Sequence, residues 1–230
     1  MSNYVYGRNS FVEALHANRI IKAYILKNSS FIDKLKKKHI EYEIVDRNKL
    51  DKMSSSGNHQ GLLAEVKEYK LYSVDELIKN ENGLIVVLDG LKDPHNLGAI
   101  IRTVECAGAD GIIYKKHNAV KLTETVAKVA SGALEHVKVS EVTNITNTLK
   151  ELKKKGYWIV GSDGSAKESY TDIDYKRNIA LVIGSEGEGI SRLVLEECDY
   201  VVSLPMYGKV NSLNASVATG ILVYNIIRSR

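Results

Sequence analysis

Cysteine is almost missing from this chain of 230 residues: Cys106 and Cys198 are the only two. They lack the paired spacing that a metal site or a redox motif requires. Each sits in an apolar helical or strand-flanking context and reads as a small core residue. The six histidines are scattered, so no metal constellation can be assembled and no metal is expected. No apolar run approaches the roughly 20 residues that span a bilayer. The opening Met-Ser-Asn-Tyr-Val-Tyr-Gly-Arg has no signal-peptide apolar region, so a cytoplasmic protein without membrane contact is expected. Internal repeats and low-complexity tracts are also absent. So is the G-x-G-x-x-G fingerprint, which argues against a Rossmann-type nucleotide enzyme.

What is present is ordinary globular composition, 44% hydrophobic and 26% charged, on a length that suits one core with a small satellite. The net charge of +4 is unevenly spread: residues 1–70 hold 13 Lys and Arg against 8 Asp and Glu, and the remainder 19 against 20. A basic segment ahead of a near-neutral one suggests that the first part meets a polyanion. The run Lys34, Lys36, Lys37 and Lys38 can equally be the solvated face of one helix.

Residues 1–70 alternate short helix and strand patterns. Asn9 or Ser10 can cap a helix to about residue 18; strands are expected over 20–26, 42–45 and 62–69, with helices over 30–39 and 47–53 and a polar loop over 54–60. Residues 71–82 read as a polar, partly helical linker. From residue 83 the pattern becomes longer and more apolar. Leu84-Ile85-Val86-Val87-Leu88-Asp89 is a continuous hydrophobic run of the kind buried on both faces of a parallel sheet. Similar runs at 111–114, 137–139, 157–160, 179–183 and 200–204, mostly separated by helical stretches, make residues 83–230 a parallel α/β domain. A last helix is expected over 213–228, with a small-residue stretch at Ala215, Ser216, Ala218, Thr219 and Gly220.

Ligands of open parallel sheets bind beyond the carboxyl ends of the strands, and three loops there are unusual. After the 84–88 run comes Asp93-Pro94-His95-Asn96-Leu97-Gly98, with Arg102 further along the helix. Capping would explain Asn96 and a surface position Arg102, but neither explains Gly98, which weakens a first turn unless something packs close. The second loop, Gly184-Ser185-Glu186-Gly187-Glu188-Gly189, is either a flexible turn or a bend whose backbone approaches a ligand, with Glu186 at the strand end. The third runs from Leu204-Pro205-Met206 to Ser212-Leu213-Asn214. There capping accounts for Ser212 but not for Asn214, two residues into the expected helix.

In this order the three loops match the signature motifs of the SpoU/TrmH family of RNA 2'-O-methyltransferases almost letter for letter, with Ala215 standing where valine is usual. Lys128-Val129-Ala130-Ser131-Gly132-Ala133 resembles that family's connecting segment. The resemblance covers nearly the whole chain and is strongest to members that methylate a guanosine of 23S ribosomal RNA. It implies a small ribosomal-protein-like α/β domain that binds RNA, followed by a trefoil-knotted methyltransferase domain that forms homodimers, a threading that topology rules alone would exclude. S-adenosyl-L-methionine is then the cofactor, held by Ser162, Gly184, Leu204, Met206 and Leu213. Asn96, Arg102, Glu186, Ser212 and Asn214 form the catalytic group, Glu186 orienting Arg102. Family proposals make Arg102 the activating base, although a guanidinium with a pKa above ~12 suits gripping phosphate and stabilising an alkoxide better. A transfer-RNA ribose methylase and a non-catalytic RNA-binding protein on the same scaffold are the alternatives.

Overall fold

The computed structural model describes residues 3–54, 58–117 and 119–230. Positions 55–57 of the polar run expected as a loop lie outside it. The chain forms two compact units, residues 1–69 with 122–136, and residues 70–121 with 137–230. The segment 71–82, read from sequence as a linker, packs with the second unit. Leu77 is buried there, and the Tyr72 N–H donates to the Val139 carbonyl at 2.9 Å.

In the first unit, β1 (Asn3–Tyr6), β2 (Ile20–Ile25), β3 (Glu41–Ile44) and β4 (Leu62–Val66) form a sheet in the order β1-β4-β2-β3. Only the β2–β3 pair is parallel. Strand β1 was not foreseen; it pairs with β4 from Asn3 opposite Val66 to Tyr6 opposite Leu63. Helix α1 (Arg8–His16) starts at Gly7 without a side-chain cap, so neither Asn9 nor Ser10 caps it. Ser10 is instead buried, its hydroxyl donating to the Ala127 carbonyl at 3.4 Å. Helix α1 and α2 (Ile32–Lys37) bury Phe11 and Leu35, and α3 (Arg47–Met53) buries Leu50 in a core with Tyr6, Val45 and Leu63. Phe11 and Phe31 meet edge to face at 5.3 Å. In the lysine run, Leu35 points inward and Lys34, Lys36 and Lys37 are exposed, while Lys38 is tied to the Leu15 carbonyl and Asn18.

The second unit is a seven-stranded sheet in the order β7-β6-β5-β10-β8-β11-β9, parallel at every pairing. Its strands are β5 (Leu84–Asp89), β6 (Gly111–Lys115), β7 (Val139–Val142), β8 (Trp158–Ser162), β9 (Glu168–Ser169), β10 (Ile179–Gly184) and β11 (Tyr200–Ser203). Its helices are α4 (Pro94–Cys106), α6 (Ile145–Lys154), α7 (Arg192–Leu195) and α8 (Ala215–Arg228), whereas α5 (Glu124–Ala130) packs in the first unit. Every residue of β5 is buried, as coverage of both faces demands. Ile85, Val87, Ala180 and Val182 share one core with Leu149 and Leu152 of α6 and Val194 of α7. Helices α4 and α8 pack on each other and against β6 and β10. Four adjacent strands, β5, β10, β8 and β11, therefore end side by side at Asp89, Gly184, Ser162 and Ser203.

Among the described residues no helix is long and apolar enough to cross a membrane, and no group of three or more His, Cys, Asp or Glu could hold a metal ion. Cys106 departs from the core placement expected of it: it is exposed on α4. Cys198 is shielded, its thiol donating to the Val194 carbonyl at 3.5 Å, and burial pushes its pKa up to about 12. Little of this thiol is then in the reactive thiolate form near neutral pH. In a Cys106→Ser variant the remaining thiol should react with Ellman's reagent only on unfolding. Rapid reaction of the folded variant would contradict this burial.

Candidate active site

The loop after β5 is organised by Asp93, the N-cap of α4, whose carboxylate accepts the His95 N–H at 2.8 Å. Pro94 takes the first helical position, where a missing N–H costs nothing. Asn96 is thus released from capping and turns inward, 4% exposed, with Gly98 buried behind it.

The loop after β10 folds back on itself. Ser185 and Gly189 exchange two backbone hydrogen bonds of 3.0 Å. A Cβ on Gly184 would lie 2.1 Å from the Gly189 carbonyl carbon, so the return of the loop itself demands glycine there. The Ser191 N–H donates to buried Asp89 at 2.8 Å, which fastens this turn to the end of β5. Glu186 projects from the turn.

The third loop ends two residues later than expected. Helix α8 begins at Ala215 and Asn214 is its N-cap, while Ser212 lies exposed before the helix. Asn214 Oδ1 accepts the N–H groups of Ser216 at 3.0 Å and Val217 at 3.4 Å. Its amino group is thereby aimed the other way and donates to Glu186 Oε1 at 3.0 Å and to Asn96 Oδ1 at 2.9 Å. Asn96 Nδ2 donates to the same Glu186 oxygen at 2.7 Å. A carboxylate can only accept, so both amide orientations are dictated by their partners. Glu186 Oε2 accepts no bond from the described residues.

Beside this group opens a cleft of about 680 Å³, within the ~300–1,000 Å³ of small-molecule sites. Ser162, Gly184, Leu204, Met206 and Leu213 all line it, as do Glu186, Ser212 and Asn214. Asn96 joins through its two hydrogen bonds. Arg102 does not: it is exposed on α4, does not line the cleft and has no ion-pair or hydrogen-bond partner among the described residues, so the expected pairing with Glu186 is absent. Sequence reasoning missed Asp163, a carboxylate on the cleft wall whose pKa is lowered by hydrogen bonds from the hydroxyl and N–H of Ser165. The Asp-Gly pair just beyond β8 was its one available signal.

A parallel sheet carrying a polar network and an amphipathic cleft at its carboxyl edge defines a ligand-binding α/β enzyme scaffold. Comparison with known proteins gives the family. Residues 83–224 match the SpoU rRNA Methylase family, and residues 4–72 match the RNA 2'-O ribose methyltransferase substrate-binding family. The chain belongs to the SpoU family and is an RNA methyltransferase. It is 46% identical to the Bacillus subtilis protein YacO, named as a TrmH family tRNA/rRNA methyltransferase, over 99% of this chain and 96% of the relative. The AdoMet-bound rRNA methyltransferase of Sinorhizobium meliloti shares the fold, with a TM-score of 0.85 at 23% identity over 99% of this chain and 87% of that one. The TrmH/SpoU tRNA modifying enzyme of A. aeolicus is 34% identical over 68% of this chain and 79% of its own, with a TM-score of 0.60.

Asn214 should show its two duties separately. Asn214→Ala removes both cap and bridge and should lower the unfolding free energy by about 1 kcal/mol or more. Asn214→Asp keeps an acceptor for the helix but sets a second carboxylate against Glu186. At pH 7 Asn214→Asp should therefore be less stable than the wild type in urea unfolding, and equal stability would contradict the contact.

Proposed function

We propose that the chain transfers a methyl group to the 2'-hydroxyl of a ribose in ribosomal RNA, at a guanosine of the 23S molecule, and works as a homodimer. The observation that carries the reading is the joining of Asn96, Glu186 and Asn214, from three separate loops, at the rim of one cleft. S-adenosyl-L-methionine is the cofactor, and when bound it supplies an activated methyl group on a sulfonium centre. The residues present suit it. Leu204, Met206 and Leu213 offer apolar walls, Ser162 and Gly184 contribute at the strand ends, and Asp163 offers an anionic acceptor.

The chain's own residues then have two tasks, to align the hydroxyl and to take its proton. Glu186 is the acceptor on this reading. Two carboxamides fix one of its oxygens and leave the other for the hydroxyl. Ser212 and Asn214 position the ribose from the start of α8. Arg102 cannot act as a base at ordinary pH, because its guanidinium does not deprotonate. Exposed and without a carboxylate partner, it suits the neighbouring phosphate and the negative charge that develops on the oxygen.

Ribosomal rather than transfer RNA is favoured by coverage. The ribosomal-RNA neighbour matches across both units, whereas the tRNA-modifying one matches about two-thirds of the chain. Dimerisation is supported by α8, which exposes Val217, Ile221 and Tyr224 along one stripe. The trefoil threading is proposed with the family fold; a late strand, β10, occupying the slot between β5 and β8 is consistent with it.

Deleting the gene should remove one 2'-O-methyl mark from 23S RNA, restored by the wild type but not by Arg102→Ala or Glu186→Gln. Each variant should lose about 100-fold or more in turnover while still binding cofactor by calorimetry. A missing tRNA mark would replace the substrate, and an unchanged map would remove the reading. Ile221→Glu should turn a dimer into a monomer in light scattering; a wild type that is already monomeric would refute the assembly.

A further inference from the structure

The segment 128–133 lies in the catalytic half of the sequence but takes no part in the cleft. It packs in the first unit, where Asn9 Nδ2 donates to Ser131 Oγ at 3.0 Å and Lys128 Nζ to the Asn58 carbonyl at 2.7 Å, above the Tyr6 ring. These contacts enclose a second cavity, of about 150 Å³, whose walls include Arg8, Asn9, Asn58, Gln60, Lys128 and Ser131. Two of its lining residues are cationic, three carry carboxamides and none is acidic. The walls are held in place. Buried His59 accepts the Gly61 N–H on Nδ1 at 2.9 Å and sets Nε2 against Asp51 at 3.0 Å. Gln60 Oε1 accepts the Arg8 N–H at 2.8 Å. Gln60 and Ser131 both keep left-handed backbone, with φ of 52° and 53°, a cost that L residues bear where the surroundings over-determine them.

A phosphate alone needs charge and N–H donors. This cavity also offers amide edges. Asn9 Oδ1 and Gln60 Nε2 have no hydrogen-bond partner among the described residues, so an acceptor and a donor stand on its wall, the pairing that reads the edge of a base. Arg8, its guanidinium 5.8 Å from the Phe31 ring centroid, has no carboxylate partner among the described residues. We propose that this cavity receives one unpaired RNA nucleotide, its base edge read by Asn9 and Gln60 and its phosphate held by Arg8. The segment 128–133 is then part of substrate selection rather than of methyl transfer. The inference rests on the reading that the first unit meets RNA.

The test uses the full chain and four labelled hexaribonucleotides of sequence U-U-U-N-U-U, with N each base in turn, followed by fluorescence anisotropy. The wild type should prefer one of the four by about tenfold. Gln60→Glu keeps the oxygen that accepts the Arg8 N–H but replaces the free donor with an acceptor, and it should bring the four affinities within about twofold. Four equal affinities in the wild type, no binding of any hexamer, or a preference untouched in Gln60→Glu would each overturn the proposal. So would an Arg8→Ala variant that weakens all four alike and flattens the salt dependence while the wild type shows no preference, since that describes a phosphate grip only. Cofactor binding and methyl transfer are measured on the same preparations. Their loss with base preference intact would sink the catalytic reading and leave this one standing.

Discussion

One side-chain amide governs the arrangement of the loops at the carboxyl edge of the sheet. Asn214 has a single carbonyl oxygen, and the first turn of α8 takes it, because the opening N–H groups of a helix have no internal acceptor. The amino group must then face the opposite way, and there it meets the acceptor-only Glu186 and the oxygen of Asn96. An aspartate would cap the helix equally well but has no hydrogen to give; a serine is too short to do both. Helix start and polar network are thus one structure, and the loops after β5, β10 and β11 are bound together by it.

Strand order explains why so long a loop precedes that asparagine. Strands β5 and β11 are separated by β10 and β8, three spacings of about 4.8 Å, or roughly 14 Å across the sheet. Asn214 must meet Asn96, which follows β5, although its own segment leaves from the end of β11. The ten residues between Ser203 and Asn214 can reach about 33 Å when extended, ample to pass back over the ends of β8 and β10. In doing so they bring Leu204, Met206 and Leu213 to the cleft. The wall of the cleft is a consequence of the return path.

Much of this was legible in the residues. The apolar run of β5 reads as two-face burial because that is what it undergoes, and the three loops stand out by composition alone, although composition does not show that they converge. What failed did so for definite reasons. Strand β1 has four residues, too few for alternation to register. Ser212 and Asn214 are both good caps, and composition cannot say which of them a helix adopts. Cys106 follows buried Val104 by two positions, about 200° around the helix, which puts it outside whatever its apolar neighbours suggest. That α5 would pack with the first unit is a matter of long-range contact, invisible to any local pattern.

The same helical phase bears on Arg102. Six residues from Asn96 is about 600° of turn, leaving the two side chains roughly 120° apart, so α4 cannot present both to Glu186. An ion pair between Arg102 and Glu186 would in any case work against the proposed chemistry, because each group would occupy the other's charge and the RNA would have to displace it. Neutral carboxamides hold the carboxylate in place without cancelling it. In the proposed chemistry Glu186 keeps an oxygen for a hydroxyl hydrogen, and Arg102 keeps an unpaired guanidinium for a phosphate or a developing alkoxide. On that proposal, positioning by neutral donors holds the two opposite charges apart until substrate lies between them, which a salt bridge could not do.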